Sequence, residues 1–138
     1  MAKVQVKGTV LNHFTGTTGT AISQVISYSH SGAESETYDA TTLDTTGAGK
    51  EYSQTGYAEG GTFDFSLFFD PGLAIHQALT DDVTTPAERE YSIVFADAAT
   101  TTQTFDAAGI SLGWTGEMNN GLTADVSLKL DQLMDYAT

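Results

Sequence analysis

The sequence predicts a mainly β fold, a β-sandwich or partly closed barrel with one short flanking helix. Three observations carry that prediction. Thr, Gly and Ser are abundant and Pro occurs only twice; Thr, Val, Ile, Phe and Tyr favour strands, and Gly punctuates turns. Several runs alternate apolar and polar residues with period two, the signature of strands with one buried and one wet face. One helix-start signal stands out, Asp70-Pro71.

The elements follow in order. "VQVKGTV" at 4–10 alternates and reads as a short strand. "NHFTGTTGT" at 12–20 is turn-rich and reads as a loop. "AISQVISYSH" at 21–30 is a second strand, with Val25 and Ser27 on one face and Ile26 and Tyr28 on the other. "ETYDAT" at 36–41 is able to pair with it across "SGAES". Residues 42–61 are Gly-rich and weakly periodic, and are expected to form a long projecting loop with strand character around Tyr52.

"TFDFSLFF" at 62–69 is a strand. Phe63, Phe65, Leu67 and Phe69 point to the core, while Asp64 and Ser66 keep the other face wet. Phe68 breaks the pattern by placing a large aromatic on the wet face. Either the helix or a local loop covers it, or a neighbouring subunit does. Asp70 is expected to cap a helix whose first residue is Pro71 and whose body is "LAIHQAL". "TDDVTTPAERE" at 80–90 reads as a polar connection.

Three strands close the chain. Tyr91, Ile93 and Phe95 share a face in 91–96. Ile110, Leu112 and Trp114 share one in 104–117, which makes Trp114 a core residue rather than a sugar-stacking platform. Residues 122–130 alternate from Leu122 to Leu130, and "MNNG" at 118–121 joins the last two strands in a hairpin. The whole, 1–138, is expected to be one domain.

Charge narrows the partners. Lys plus Arg is 5 against 18 Asp plus Glu, a formal net charge of -13. A protein that grips nucleic acid or an anionic membrane neutralises phosphates with Lys and Arg, and this chain has few. With no Cys, disulfides and zinc-thiolate sites are excluded. No run of about 18 apolar residues exists, and "MAKVQVK" lacks the apolar core of a secretory signal, so folding in a cytoplasm is expected.

Chemistry is sparse. His13, His30 and His76 are isolated and read as surface or half-buried side chains. "GAGKE" at 47–51 lacks the first Gly and the hydroxyl residue of a phosphate loop, holding Asp44 and Glu51 instead. Asp81-Asp82 read as solubilising charge. No catalytic, metal or cofactor residues are expected, and no enzyme.

Residues 42–79 resemble the middle of the major tail tube proteins of long-tailed bacteriophages. The matching positions are Lys50, Glu51 and Tyr52, then Gly56, then Glu59, Gly60 and Gly61, then Asp70 and Pro71. "AISQVISYS" resembles that family's early strand. "TFDAAGISLGWTGEMNNGLTADVSLKLD" resembles its closing hairpin, with Phe105 in place. The similarity covers most of 20–131; the ending "DQLMDYAT" lacks the family's Ser-Gly, and the appended immunoglobulin-like domain of some family members is not expected.

The resemblance implies a tail-tube fold, a hexameric ring, and rings stacked into a hollow tube with a continuous inner β-barrel. It implies a tape measure protein and terminator or tip proteins as partners, with DNA passing through unbound. It places the protein in the virion tail, assembled in a bacterial host's cytoplasm, with phage-like gene transfer agents and non-contractile tails as relatives. On that basis Lys50, Glu51, Tyr52, Tyr57 and Phe68 are candidate subunit or ring contacts. Asp125, Asp64 and Asp106 are candidate lumen-facing carboxylates because they sit on polar strand faces. The competing expectation is a monomeric β-sandwich that binds glycans or acts as an adhesin, through exposed aromatics. A small glycosidase comes third.

Overall fold

The computed structural model describes residues 3–15, 17–85 and 88–136. Among them are β1 (Gln5–Thr15), β2 (Thr18–Ala21), β3 (Val25–Ser31), β4 (Glu34–Asp39) and β5 (Tyr52–Glu59). Then come β6 (Thr62–Phe68), α1 (Ala74–Thr84), β7 (Arg89–Ala96), β8 (Thr102–Glu117) and β9 (Gly121–Tyr136). Seven strands form one antiparallel sheet in the order β2-β1-β7-β8-β9-β6-β3, and β4 and β5 form a separate two-stranded sheet.

The large sheet folds over on itself without closing into a barrel. β8 and β9 run through both halves, and irregular pairings at 104/106 and 107/109 let them bend. The bend brings Phe63 of β6 within 5.2 Å of Phe105 of β8, ring centre to ring centre. Across the same core the Tyr28 hydroxyl of β3 meets the Thr9 hydroxyl of β1 at 3.2 Å. The alternating positions that predicted strands fill this core: Phe63, Phe65, Leu67, Tyr91, Ile93, Ala124, Val126, Leu128 and Leu130 are all buried. Asn120 donates to Glu117 and Gly121 takes a φ of 73°, completing the Asn-Gly turn between β8 and β9.

Several expectations change. The loop expected at 12–20 is a β-hairpin: β1 continues to Thr15 and pairs with β2. Gly19 serves there as a packing site, since the Phe14 ring lies 3.1 Å from where a Cβ would stand. The strand expected at 21–30 begins only at Val25, because Ile22 turns into the core and Gln24 adopts a φ of 65°. β4 pairs with β5 rather than with β3; β3 pairs with β6 instead, and Gly32 at φ 82° redirects the chain between them. The last strand runs on past Leu130 to Tyr136.

Asp70 does not cap the helix. Its carboxylate accepts the Gly72 amide at 2.9 Å and its own amide donates to Nδ1 of His76 at 2.8 Å, which holds 70–73 as a turn. The helix starts at Ala74 and runs to Thr84, through the stretch expected to be a polar connection. His76 and His13 are buried, not superficial, and so is Asp82. Trp114 is 64% exposed rather than core, although it keeps its period-two place beside Leu112. β7 stops pairing with β8 at Ala107, so beyond that point only the flank of α1 faces this part of the hairpin.

Candidate assembly surfaces

Three features stand out in the structure. The first is the outer face of the four-strand layer β8-β9-β6-β3. Alternation puts Thr62, Asp64 and Ser66 of β6 and Thr123, Asp125, Ser127 and Lys129 of β9 on it, while their neighbours fill the core. Gly109, Ser111, Gly113 and Thr115 of β8 continue it. The face is small, polar and poor in cations; Lys129 is the one positive side chain in these rows. Ser66 donates to Asp125 at 2.6 Å across the strand pair.

The layer has two open edges. Among the described residues, β3 pairs only with β6, and β8 beyond Ala107 pairs only with β9. Unpaired edges of this length expose backbone groups that another strand is able to satisfy.

The second feature is an arm made of β4, β5 and the 40–51 connection. Every residue of β4 is exposed, and Tyr52 and Tyr57 are 63% and 75% exposed. The Glu51 carbonyl accepts from the Ala40 amide and the Thr41 hydroxyl, closing the base of the connection. Hydrogen bonds from Thr41 hold Asp39 below the ordinary carboxylate range. At the arm's root two glycines allow backbones to touch. A Cβ on Gly60 would strike the Gln132 carbonyl oxygen, and one on Gly61 would strike that of Ser31. The Nε2 of His30 bonds the Gly60 carbonyl at 2.7 Å and clasps the same root.

The third feature fixes α1 to the sheet. Asp82 of α1 sits 4% exposed against three strand residues. His13 Nε2 and the Tyr91 hydroxyl each lie 2.7 Å from its Oδ2. Arg89 Nε stands 3.2 Å from Oδ1, an ion pair by distance whose N–H is not aimed at the oxygen. Burial, then the hydrogen bond to Asp82, raise the Tyr91 phenol above its ordinary value. His76 forms a second tie: it accepts from Asp70, its Nε2 lies 2.9 Å from the Ser23 carbonyl, and it stacks on Phe69.

The residues expected from sequence separate into groups. Lys50, Glu51, Tyr52 and Tyr57 all lie on the arm. Phe68 lies at the far end of β6, 47% exposed on the polar face, paired with Thr123. Asp64 and Asp125 share that face one strand row apart. Asp106 sits past the bulge, opposite Glu90 and Asp131. Next to it, a hydrogen bond shared with Asp131 and the nearby carboxylate charges raise Glu88 above its usual value. The sequence reasoning missed the buried Asp82 cluster and the reason for the Gly60-Gly61 step. Only the paired glycines at a strand boundary left a local signal.

Among the described residues, no three His, Asp or Glu side chains are placed to hold a metal ion, and no helix is long and apolar enough to cross a membrane.

The fold is similar to that of several solved assemblies. A chain from the tail of an empty gene transfer agent particle superposes with a TM-score of 0.77 at 13% identity, over 97% of this chain and 98% of that one. A chain from the extended sheath–tube complex of an extracellular contractile injection system gives 0.68 at 11% identity, over 99% and 92%. The SPP1 tail tube gives 0.63 at 14% identity, over 98% and 80%. No curated protein sequence matches the chain. The family model for the lambda phage tail tube protein matches residues 7–131, which takes in the curled sheet, the arm and the helix. The chain therefore belongs to the lambda phage tail tube protein family, and it is a structural protein of a phage-type tail tube.

Proposed function

We propose that subunits of this chain form hexameric rings, and that the rings stack into the hollow tube of a virion tail. The observation that carries this reading is the four-strand layer with one core face, one polar face and two unpaired edges. Side-by-side pairing of β3 in one subunit with the free part of β8 in the next would close the layer into a barrel and leave no edge. Six-fold symmetry is the symmetry given for the tail of the related gene transfer agent particle. The whole chain, 1–138, acts as a single tube domain, and its role is structural rather than catalytic.

The polar face then lines the lumen. Asp64 and Asp125 make that wall negative, with Asp106 further along. Each Lys129 on that wall is outnumbered by Asp64 and Asp125 of the same subunit, so the wall is net negative and DNA slides rather than binds. The arm, with Lys50, Glu51, Tyr52 and Tyr57, contacts a neighbouring subunit. Head-to-tail contacts of this kind propagate along an axis. The remaining partners are a tape measure protein inside the growing tube and terminator or tip proteins at its ends, with no membrane partner.

Electron microscopy of the purified protein at high concentration tests this. Rings or hollow fibres of uniform width are expected. Globular monomers alone would overturn the tube and point to a monomeric binding module.

Phe68 gives a finer test. Its own chain leaves it 47% exposed, so Phe68→Ser should cost the monomer about 1 kcal/mol or less while abolishing tubes. Unfolded monomer in thermal melting would make Phe68 a core residue; normal tubes would remove it from any interface.

A further inference from the structure

We infer that the basic start of β1 is the docking surface for the arm of a second copy of this chain. The inference rests on the tube reading and names one of its contacts. Residues 6–9 of β1 bulge out between the Gln5–Ala96 and Val10–Val94 pairs with β7, with Gly8 at φ 92°, and the pairing with β2 starts only at Asn12, so among the described residues they have no strand partner on either side. Their backbone is an open edge. Val4 and Val6 are β-branched side chains left 54% and 63% exposed.

Charge selects the occupant. Of the five cations, Arg89 is engaged with Asp82, Lys129 lies on the polar wall and Lys50 is on the arm itself. Lys3 and Lys7 are the remaining two, both exposed, flanking the open edge, and neither forms an ion pair among the described residues. The arm carries the complement. Glu34 of β4 and Glu59 of β5 stand directly opposite each other, and with Glu36 they line one hollow.

Like charges facing across a strand pair weaken it, and among the described residues neither glutamate forms an ion pair, Lys129 only sharing a hollow with Glu59. β4 also keeps one free edge, since it pairs only with β5. Docking of β4 along residues 6–9 of another copy, bent at Gly8, would cover both free backbones and set Lys3 and Lys7 against the opposed glutamates.

A charge swap tests this. Lys3→Glu with Lys7→Glu should raise the protein concentration needed for tubes about ten-fold or more, with unchanged thermal melting. Glu34→Lys with Glu59→Lys should do the same. The chain carrying all four changes should regain tubes near the parent's concentration. If the parent forms tubes and the lysine variant forms them equally well, the docking surface is wrong and the tube stands. It is also wrong if the four-fold variant assembles no better than either pair. A parent that never assembles overturns the tube and the docking together.

Discussion

Replacing Asp82 with Ala is expected to cost about 3–5 kcal/mol, the usual penalty for breaking a buried ion pair on one side. The carboxylate is 4% exposed and holds His13, Tyr91 and Arg89 around it. Removing it leaves the Tyr91 hydroxyl and the His13 ring in the core without their acceptor, and leaves the Arg89 cation without its partner. It also removes the tie between α1 and the β1–β7 half of the sheet. Domains of this size have only about 5–15 kcal/mol in hand, so the melting temperature should fall by roughly 10–20 °C. Thermal unfolding followed by circular dichroism reads this. Asp82→Asn keeps an acceptor for Tyr91 and should lose less. A melting curve for Asp82→Ala within a degree or two of the parent's would show that the cluster does not anchor the helix.

Gly61→Ala is expected to be the most damaging change at the arm. Gly61 has a φ of 86°, and its new Cβ would run into the Ser31 carbonyl oxygen and the backbone of Gly32. The left-handed backbone costs about 1 kcal/mol for a residue with a side chain, and the forced shift of the root adds about 1–3 kcal/mol more. Gly56→Ala separates the two effects. Its φ is 91° but nothing lies within 4 Å of its Cβ, so only the backbone penalty applies. Thermal melts should therefore rank the parent first, Gly56→Ala second and Gly61→Ala last. Faster proteolysis in 40–51 of Gly61→Ala would show that the arm has lost its seat. Equal melts for the two variants would mean that the crossing at Ser31 is not tight.

The strands at 62–69, 91–96, 104–117 and 122–130 were legible because period-two alternation is a local property of each run. Phe63, Phe65 and Leu67 are buried for the reason their spacing implied. The Asn-Gly turn was legible for the same reason, since its backbone angles are chosen by two adjacent residues. Where the reading failed, a distant residue decided. "NHFTGTTGT" reads as a loop because glycines commonly break strands, yet Gly19 is small so that Phe14 can lie against it. Asp70 looked like a cap, but His76 takes its amide and holds a turn instead. Asp82 looked like surface charge, and its partner His13 is 69 positions away. Trp114 kept its alternation, but alternation does not say where the opposing layer ends.

By itself, the sequence determined the β class, the faces of the long strands, the acidity and, through the resemblance at 42–79, the kind of assembly. These follow from composition and from interactions between near neighbours in the chain. Only the tertiary structure decided which strands pair, where the sheet stays open and which charges are buried. Those depend on contacts between residues tens of positions apart, whose free energy no local pattern records. The opposed Glu34 and Glu59 of the arm are of this kind: they are 25 positions apart, and their repulsion exists only because β4 pairs with β5 rather than with β3.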